Sequence, residues 1–165
     1  MEYDPRYLQA FGLIEVEWNR VESELFLIFH TLSGASLDKS HAAFFAIQNH
    51  RGRRDMLEAI AVQALYRKST KLAEFTRLMR RVKNAATKRN EIVHCLWQWN
   101  GDAYPIWPVG SPLHDIRDML REFRARAVTI RAVRDDLSAF LSRISSRRKP
   151  LHSTSRWPVY RSRAS

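Results

Sequence analysis

The sequence predicts an all-α protein, an antiparallel bundle of four to five helices with a small β-hairpin inserted after the fourth. Three observations carry that expectation. Apolar residues recur at spacings of three and four along several long stretches. Gly-containing breaks separate these stretches, and one aromatic segment folds back around Asn100-Gly101.

The first helix is expected over residues 6–32, where Phe11, Ile14, Trp18, Val21, Leu25, Ile28 and Leu32 form one unbroken seam. Glu15, Glu17, Glu22 and Glu24 lie between them and make this the acidic element. Ser33-Gly34 ends it. A shorter helix, about Asp38 to Gln48, carries Phe44, Phe45 and Ile47. Arg51-Gly52 is read as a further interruption, followed by a third helix to about Tyr66 through Met56, Leu57, Ile60, Ala64 and Leu65. Ser69, or alternatively Thr70, is the expected N-cap of the fourth helix. That helix runs to about Cys95 through Leu72, Phe75, Met79, Val82, Ala86, Val93 and Leu96. Two aromatic strands then flank Asn100-Gly101, a ribbon too small to stand without packing on the helices. Ser111-Pro112 reads as a helix start. The last helix carries Ile116, Leu120, Phe123, Ala127, Ile130, Leu137, Leu141 and Ile144. The domain is therefore set at residues 3–145, with a basic, disordered tail over 146–165.

At 165 residues the chain is long enough for one domain with a real core, and its net charge of +11 implies an anionic partner. Seven of those charges are the basic residues from Arg143 to Arg163, a stretch with no acid. A single cysteine, Cys95, excludes an internal disulfide and a multi-Cys zinc site. The six histidines show no metal-ligand spacing, and there is no Gly-rich phosphate loop, so neither a metal nor a cofactor is expected. The opening MEYDPRY is no signal peptide and no apolar run could span a membrane; the expectation is a cytoplasmic protein.

One segment concentrates chemistry, Arg89-Asn90-Glu91-Ile92-Val93-His94. On a helix, Arg89 and His94 lie about 140° apart and about 7.5 Å along the axis, flanking a groove rather than stacking. Arg offers a fixed fork to phosphate oxygens, and His takes and gives a proton near neutrality. Arg89 also falls on the apolar register, where a cation is costly unless it meets an anion or opens to a cleft. The same spacing recurs at Arg147 and His152, but Pro150 lies between them in the tail.

The stretch KRNEIVHCLW resembles the signature of the HEPN superfamily (higher eukaryotes and prokaryotes nucleotide-binding), an Arg often followed by Asn, then a His after four to six residues. The resemblance covers this motif and the helical layout, not the tail. It implies a metal-independent endoribonuclease, often a toxin or antiviral effector, with Arg89 and His94 as the catalytic pair and Asn90 assisting. One branch of the family has a Tyr two residues after the His as a target for modification; Leu96 stands there in this chain.

Arg77, Arg81 and Lys88, with Asn84, make a stripe on the fourth helix. Such a stripe is as a rule a solvated face; the functional alternative is an RNA phosphate track leading to Arg89. Arg53 and Arg54, beside Arg51, open the third helix, where cations oppose the helix dipole; ordinary surface arginines are the plainer reading and an anionic ligand the functional one. The partners expected are single-stranded RNA, a second copy of the chain, and an antitoxin or regulatory protein. The competing reading is a non-catalytic module of the same fold that binds RNA or a protein.

Overall fold

The computed structural model describes residues 5–93, 96–99, 103–106 and 116–145. The first apolar seam folds as α1 (Pro5–Ser33). Its end is set by Gly34, whose φ of 70° only glycine adopts freely. That turn lets the Gly34 N–H donate to the His30 carbonyl at 3.3 Å.

The second helix, α2 (Leu37–Ala46), stops two residues short of the expected Gln48, because Ile47 is extended at φ −83°, ψ 108°. The Ile47 carbonyl accepts instead from Arg53 Nε at 2.7 Å. The supposed break at Arg51-Gly52 is a misreading: both residues lie in the first turn of α3 (His50–Leu65). Asn49 caps that turn, its Oδ1 accepting from the Gly52 N–H at 2.6 Å. Gly52 is needed for a different reason, since a Cβ there would sit 2.8 Å from Ile47 Cγ2. In α4 (Ser69–Val93) the first carbonyl acceptor is Lys68, which takes the Leu72 N–H at 3.0 Å, so Lys68 and not Ser69 flanks the helix.

Leu96–Trp99 (β1) pairs antiparallel with Ala103–Ile106 (β2), Leu96 opposite Ile106 and Trp99 opposite Ala103. Asn100-Gly101 and Ser111-Pro112 lie outside the described residues, as does the tail, 146–165. The last helix is α5 (Ile116–Ser145).

The five described helices form a bundle around α1, which packs most extensively on α5 and also meets α2 and α3. Contacts fix their directions. Tyr7 stands edge-on to Phe123 while Glu17 reaches Arg134, so α1 and α5 run the same way. Phe75 meets Phe140 while Lys88 meets Arg126, so α4 and α5 run oppositely. The core is drawn from all five helices, with Ile14, Trp18, Phe44, Leu57, Phe75, Phe123 and Leu137 nearly inaccessible. At the end of α4 the residue in the core is Ile92; Val93, expected there, is half-buried.

Burial holds the Glu24 carboxyl above its ordinary range, outweighing a hydrogen bond from Ser138 and the attraction of Arg134. Its Oε2 has no hydrogen-bond partner among the described residues. The folded chain thus holds this proton more tightly than the unfolded chain, and the group's contribution to stability is lost as pH rises through the folded pKa. Glu24→Gln removes that loss. Its gain in melting temperature over the parent should grow between about pH 4 and about pH 7; a gain that is flat over that interval contradicts the assignment.

Candidate functional site

Arg89 lies in the middle of the buried face of α4, one turn from Ala85, Ala86 and Ile92. A guanidinium there needs an anion, and α1 supplies one. Glu15 accepts from Arg89 Nε at 2.8 Å through Oε1 and from Nη2 at 2.5 Å through Oε2. This is the side-on, two-bond pairing that suits a planar fork to a carboxylate. Arg89 Nη1 also donates to Asn90 Oδ1 at 3.2 Å. Three of the five guanidinium N–H groups are thus used, and among the described residues two remain, one each on Nη1 and Nη2. The Arg89 side chain is 15% exposed and Glu15 28%. The pair is therefore a partly covered, locally neutral unit with one open edge.

His94 lies outside the described residues, as does Cys95. What can be described of the motif is its first half, the oriented Arg89 and the exposed Asn90.

The other sequence-predicted cations divide into two groups. Arg53 is committed internally. It donates to Glu22 at 3.0 Å and to the Ile47 carbonyl, and its guanidinium lies 5.0 Å from the centre of the Phe45 ring. Arg54, beside it, is half-buried. Arg81 is bonded to Asp136 of α5. Arg77 and Lys88 are exposed, and the Lys88 carbonyl accepts from Arg126 at 2.6 Å. Consecutive helical residues are about 100° apart, so the Lys88 stripe runs along the flank of α4 and not over Arg89.

Two cations escaped the sequence reading. Arg80 and Lys83 fall outside the i, i+4, i+7, i+11 ladder that singled out Arg77, Arg81 and Lys88 with Asn84. Both are exposed on the solvent side of α4. Among the described residues Arg77, Arg80, Lys83 and Lys88 have no carboxylate partner. Together they make this face of α4 a run of uncompensated positive charge.

A second polar cluster also went unread. Glu22, buried on α1, accepts from His50 Nδ1 at 2.7 Å as well as from Arg53. Glu22 and Glu15 are seven residues apart, so they share one face of α1 about 10 Å from each other. Both are satisfied by basic side chains of neighbouring helices. Among the described residues no three His, Cys, Asp or Glu side chains come together as a metal site, and no described helix is long and apolar enough to cross a membrane.

The pair dictates how the site responds to substitution. Glu15→Ala leaves a cation on the core face of α4, and loss of its charge-assisted bonds is expected to cost about 1.5–3 kcal/mol of stability. Replacing both partners by apolar residues, Glu15→Leu with Arg89→Met, should recover most of that loss. Urea unfolding of the three proteins checks this; a double variant no more stable than Glu15→Ala refutes the pairing as the source.

No family model, no curated protein and no solved structure matches this chain, so any function is argued from Arg89 and its neighbours themselves.

Proposed function

We propose that this protein is a metal-independent endoribonuclease acting on single-stranded RNA, of the kind the HEPN-like Arg-Asn-x3-His motif implies. The observation that carries the reading is the continuity of α4: an exposed run of cations, without carboxylate partners among the described residues, leads along the helix into a segment where Glu15 orients Arg89 through two hydrogen bonds. Arg77, Arg80, Lys83 and Lys88 would supply the sequence-independent phosphate contacts that dominate affinity for a polyanion. Arg54 and the basic tail, 146–165, would extend that footprint, whereas Arg53 is engaged by Glu22.

In the proposed reaction the RNA 2′-hydroxyl attacks the adjacent phosphorus and gives its proton to His94. The bond from phosphorus to the 5′-oxygen breaks, and that oxygen takes a proton from a second imidazole. A second copy of the chain would supply it through its own His94, which makes a homodimer the natural assembly. The products are a 2′,3′-cyclic phosphate and a 5′-hydroxyl. Arg89 acts on the pentacoordinate phosphorane through its open N–H groups, aided by Asn90. Because Glu15 cancels its charge at rest, Arg89 adds little to ground-state affinity and more to the transition state, where negative charge accumulates. A toxin or antiviral effector with a cognate antitoxin or regulatory protein is the setting that fits such an activity.

One observation favours a second reading, a non-catalytic RNA-binding or protein-interaction module. Glu15 gives Arg89 a sufficient structural reason to exist.

Purified protein in EDTA should cleave single-stranded RNA but not DNA of the same sequence. His94→Ala should abolish cleavage and spare RNA affinity. Arg89→Lys keeps the charge beside Glu15 but loses the fork, and should lower cleavage by about 10²-fold or more, the scale of a lost oxyanion donor, with RNA affinity little changed. Binding of RNA by all three proteins with cutting by none leaves the module as the function.

The tail has its own test. Ending the chain at Ser145 should preserve the helical signal and melting temperature and make RNA affinity less dependent on salt. An unchanged salt slope removes the tail from the RNA contact.

A further inference from the structure

Leu13 lies two residues before Glu15, so it points about 160° away from it round α1. There α1 and α5 border a groove of about 590 Å³ whose lining includes Gly12, Leu13, Val16, Val128, Arg124 and Arg131. Three of its apolar residues are open to solvent, Leu13 37%, Val16 50% and Val128 63% exposed. Isolated exposed apolar residues are ordinary, but three around one groove mark a surface built for contact.

Gly12 adds an independent indication. It sits inside a 29-residue helix, where glycine is among the poorest formers. A Cβ added there meets nothing within 4 Å, so packing inside the chain gives no reason for its small size. What a glycine at this place does provide is close approach for something lying across the helix.

The charge at the rim chooses the occupant. Arg124 has no carboxylate partner among the described residues, and Arg131, half exposed, lends only part of its charge to Glu17. A second copy seated here would bring arginine against arginine. We propose that this groove receives an amphipathic helix of another protein, apolar on one face and acidic along its edges, its backbone crossing α1 at Gly12. Helix-in-groove recognition of this kind draws affinity from the apolar face and selectivity from the flanking charges. The inference stands apart from the nuclease reading, since it uses neither Arg89 nor His94.

The experiment uses methyl-labelled protein and two synthetic helical peptides with the same leucine face, one flanked by glutamates and the other by lysines. The acidic peptide should shift the methyl signals of Leu13, Val16 and Val128 and leave Val62, exposed on α3, unmoved. The lysine peptide should do neither. Gly12→Arg and Val128→Glu should each weaken the acidic peptide by about tenfold or more, the scale of one lost anchor, with the helical circular dichroism kept and, for Gly12→Arg, a melting temperature no lower than the parent's. The proposal is overturned if the acidic peptide gives no shifts at millimolar concentration or if both peptides bind alike. It is equally overturned if the two variants bind as the parent does, or if sedimentation of the protein alone shows a dimer that Gly12→Arg abolishes. That last result would hand the groove to a second copy.

Discussion

Glu17 is 1% exposed and charged, a combination that only surrounding cations make tolerable. Arg20 on its own helix and Arg131 and Arg134 on α5 provide them, at 3.2, 3.1 and 2.8 Å. The same solution recurs along α1. Glu22 is met by His50 and Arg53 of α3, and Glu15 by Arg89 of α4. One helix thus carries three carboxylates, each engaged by a different neighbour. The apolar seam of α1 supplies the driving force for association, but apolar surfaces are nondirectional and tolerate sliding. A carboxylate that must find its guanidinium does not, so these pairs set the register of α3, α4 and α5 on α1.

That arrangement explains what was legible in the sequence and what was hidden. The helices were legible because burial imposes a period on the residues that fill it, as Ile14, Trp18, Val21, Leu25 and Ile28 do. Their ends were less so. Gly52 looked like a break because glycine often is one, yet its role is to leave room for the Ile47 side chain, which lies five positions earlier. Arg89 was legible as an anomaly, a cation where the period asks for an apolar residue. Its answer, Glu15, stands 74 positions away and was read only as part of an acidic helix. Periodicity places a residue on a face, but it says nothing about which residue of another helix lies opposite. Glu17 and Glu22 were missed as buried groups for the same reason.

The candidate site inherits this logic. A guanidinium clamped by a carboxylate is poorly suited to capturing a polyanion, since the two charges nearly cancel at a distance. It is well suited to act at short range, where the remaining N–H groups are already aimed and need no reorganisation. In the proposed reading capture falls to side chains with no carboxylate partner among the described residues, and α4 presents Arg77, Arg80, Lys83 and Lys88 of that kind on its outer side. The division follows from burial. Cations on the inner faces of the bundle are consumed by the acids of α1 or, in the case of Arg126, by Glu91 and Glu122. On the outer face of α4 Arg81 is paired with Asp136, whereas Arg77, Arg80, Lys83 and Lys88 have no carboxylate partner among the described residues.

The two readings of the protein differ in what they require of Glu15. If Arg89 were present only to fill the seam, a carboxylate–guanidinium pair would be an uneconomical choice, because an apolar pair of similar volume serves packing as well or better. An ion pair is retained most understandably where one member has something else to do. Here the pair sits at the edge of the core and keeps one side open, the condition under which a preoriented guanidinium can still meet a ligand. Full burial would have made Arg89 structural, and full exposure would have left it mobile and screened. In the proposed reading that intermediate position is what lets Arg89 serve both the bundle and a ligand, with Asn90 and His94 supplying the rest of the chemistry.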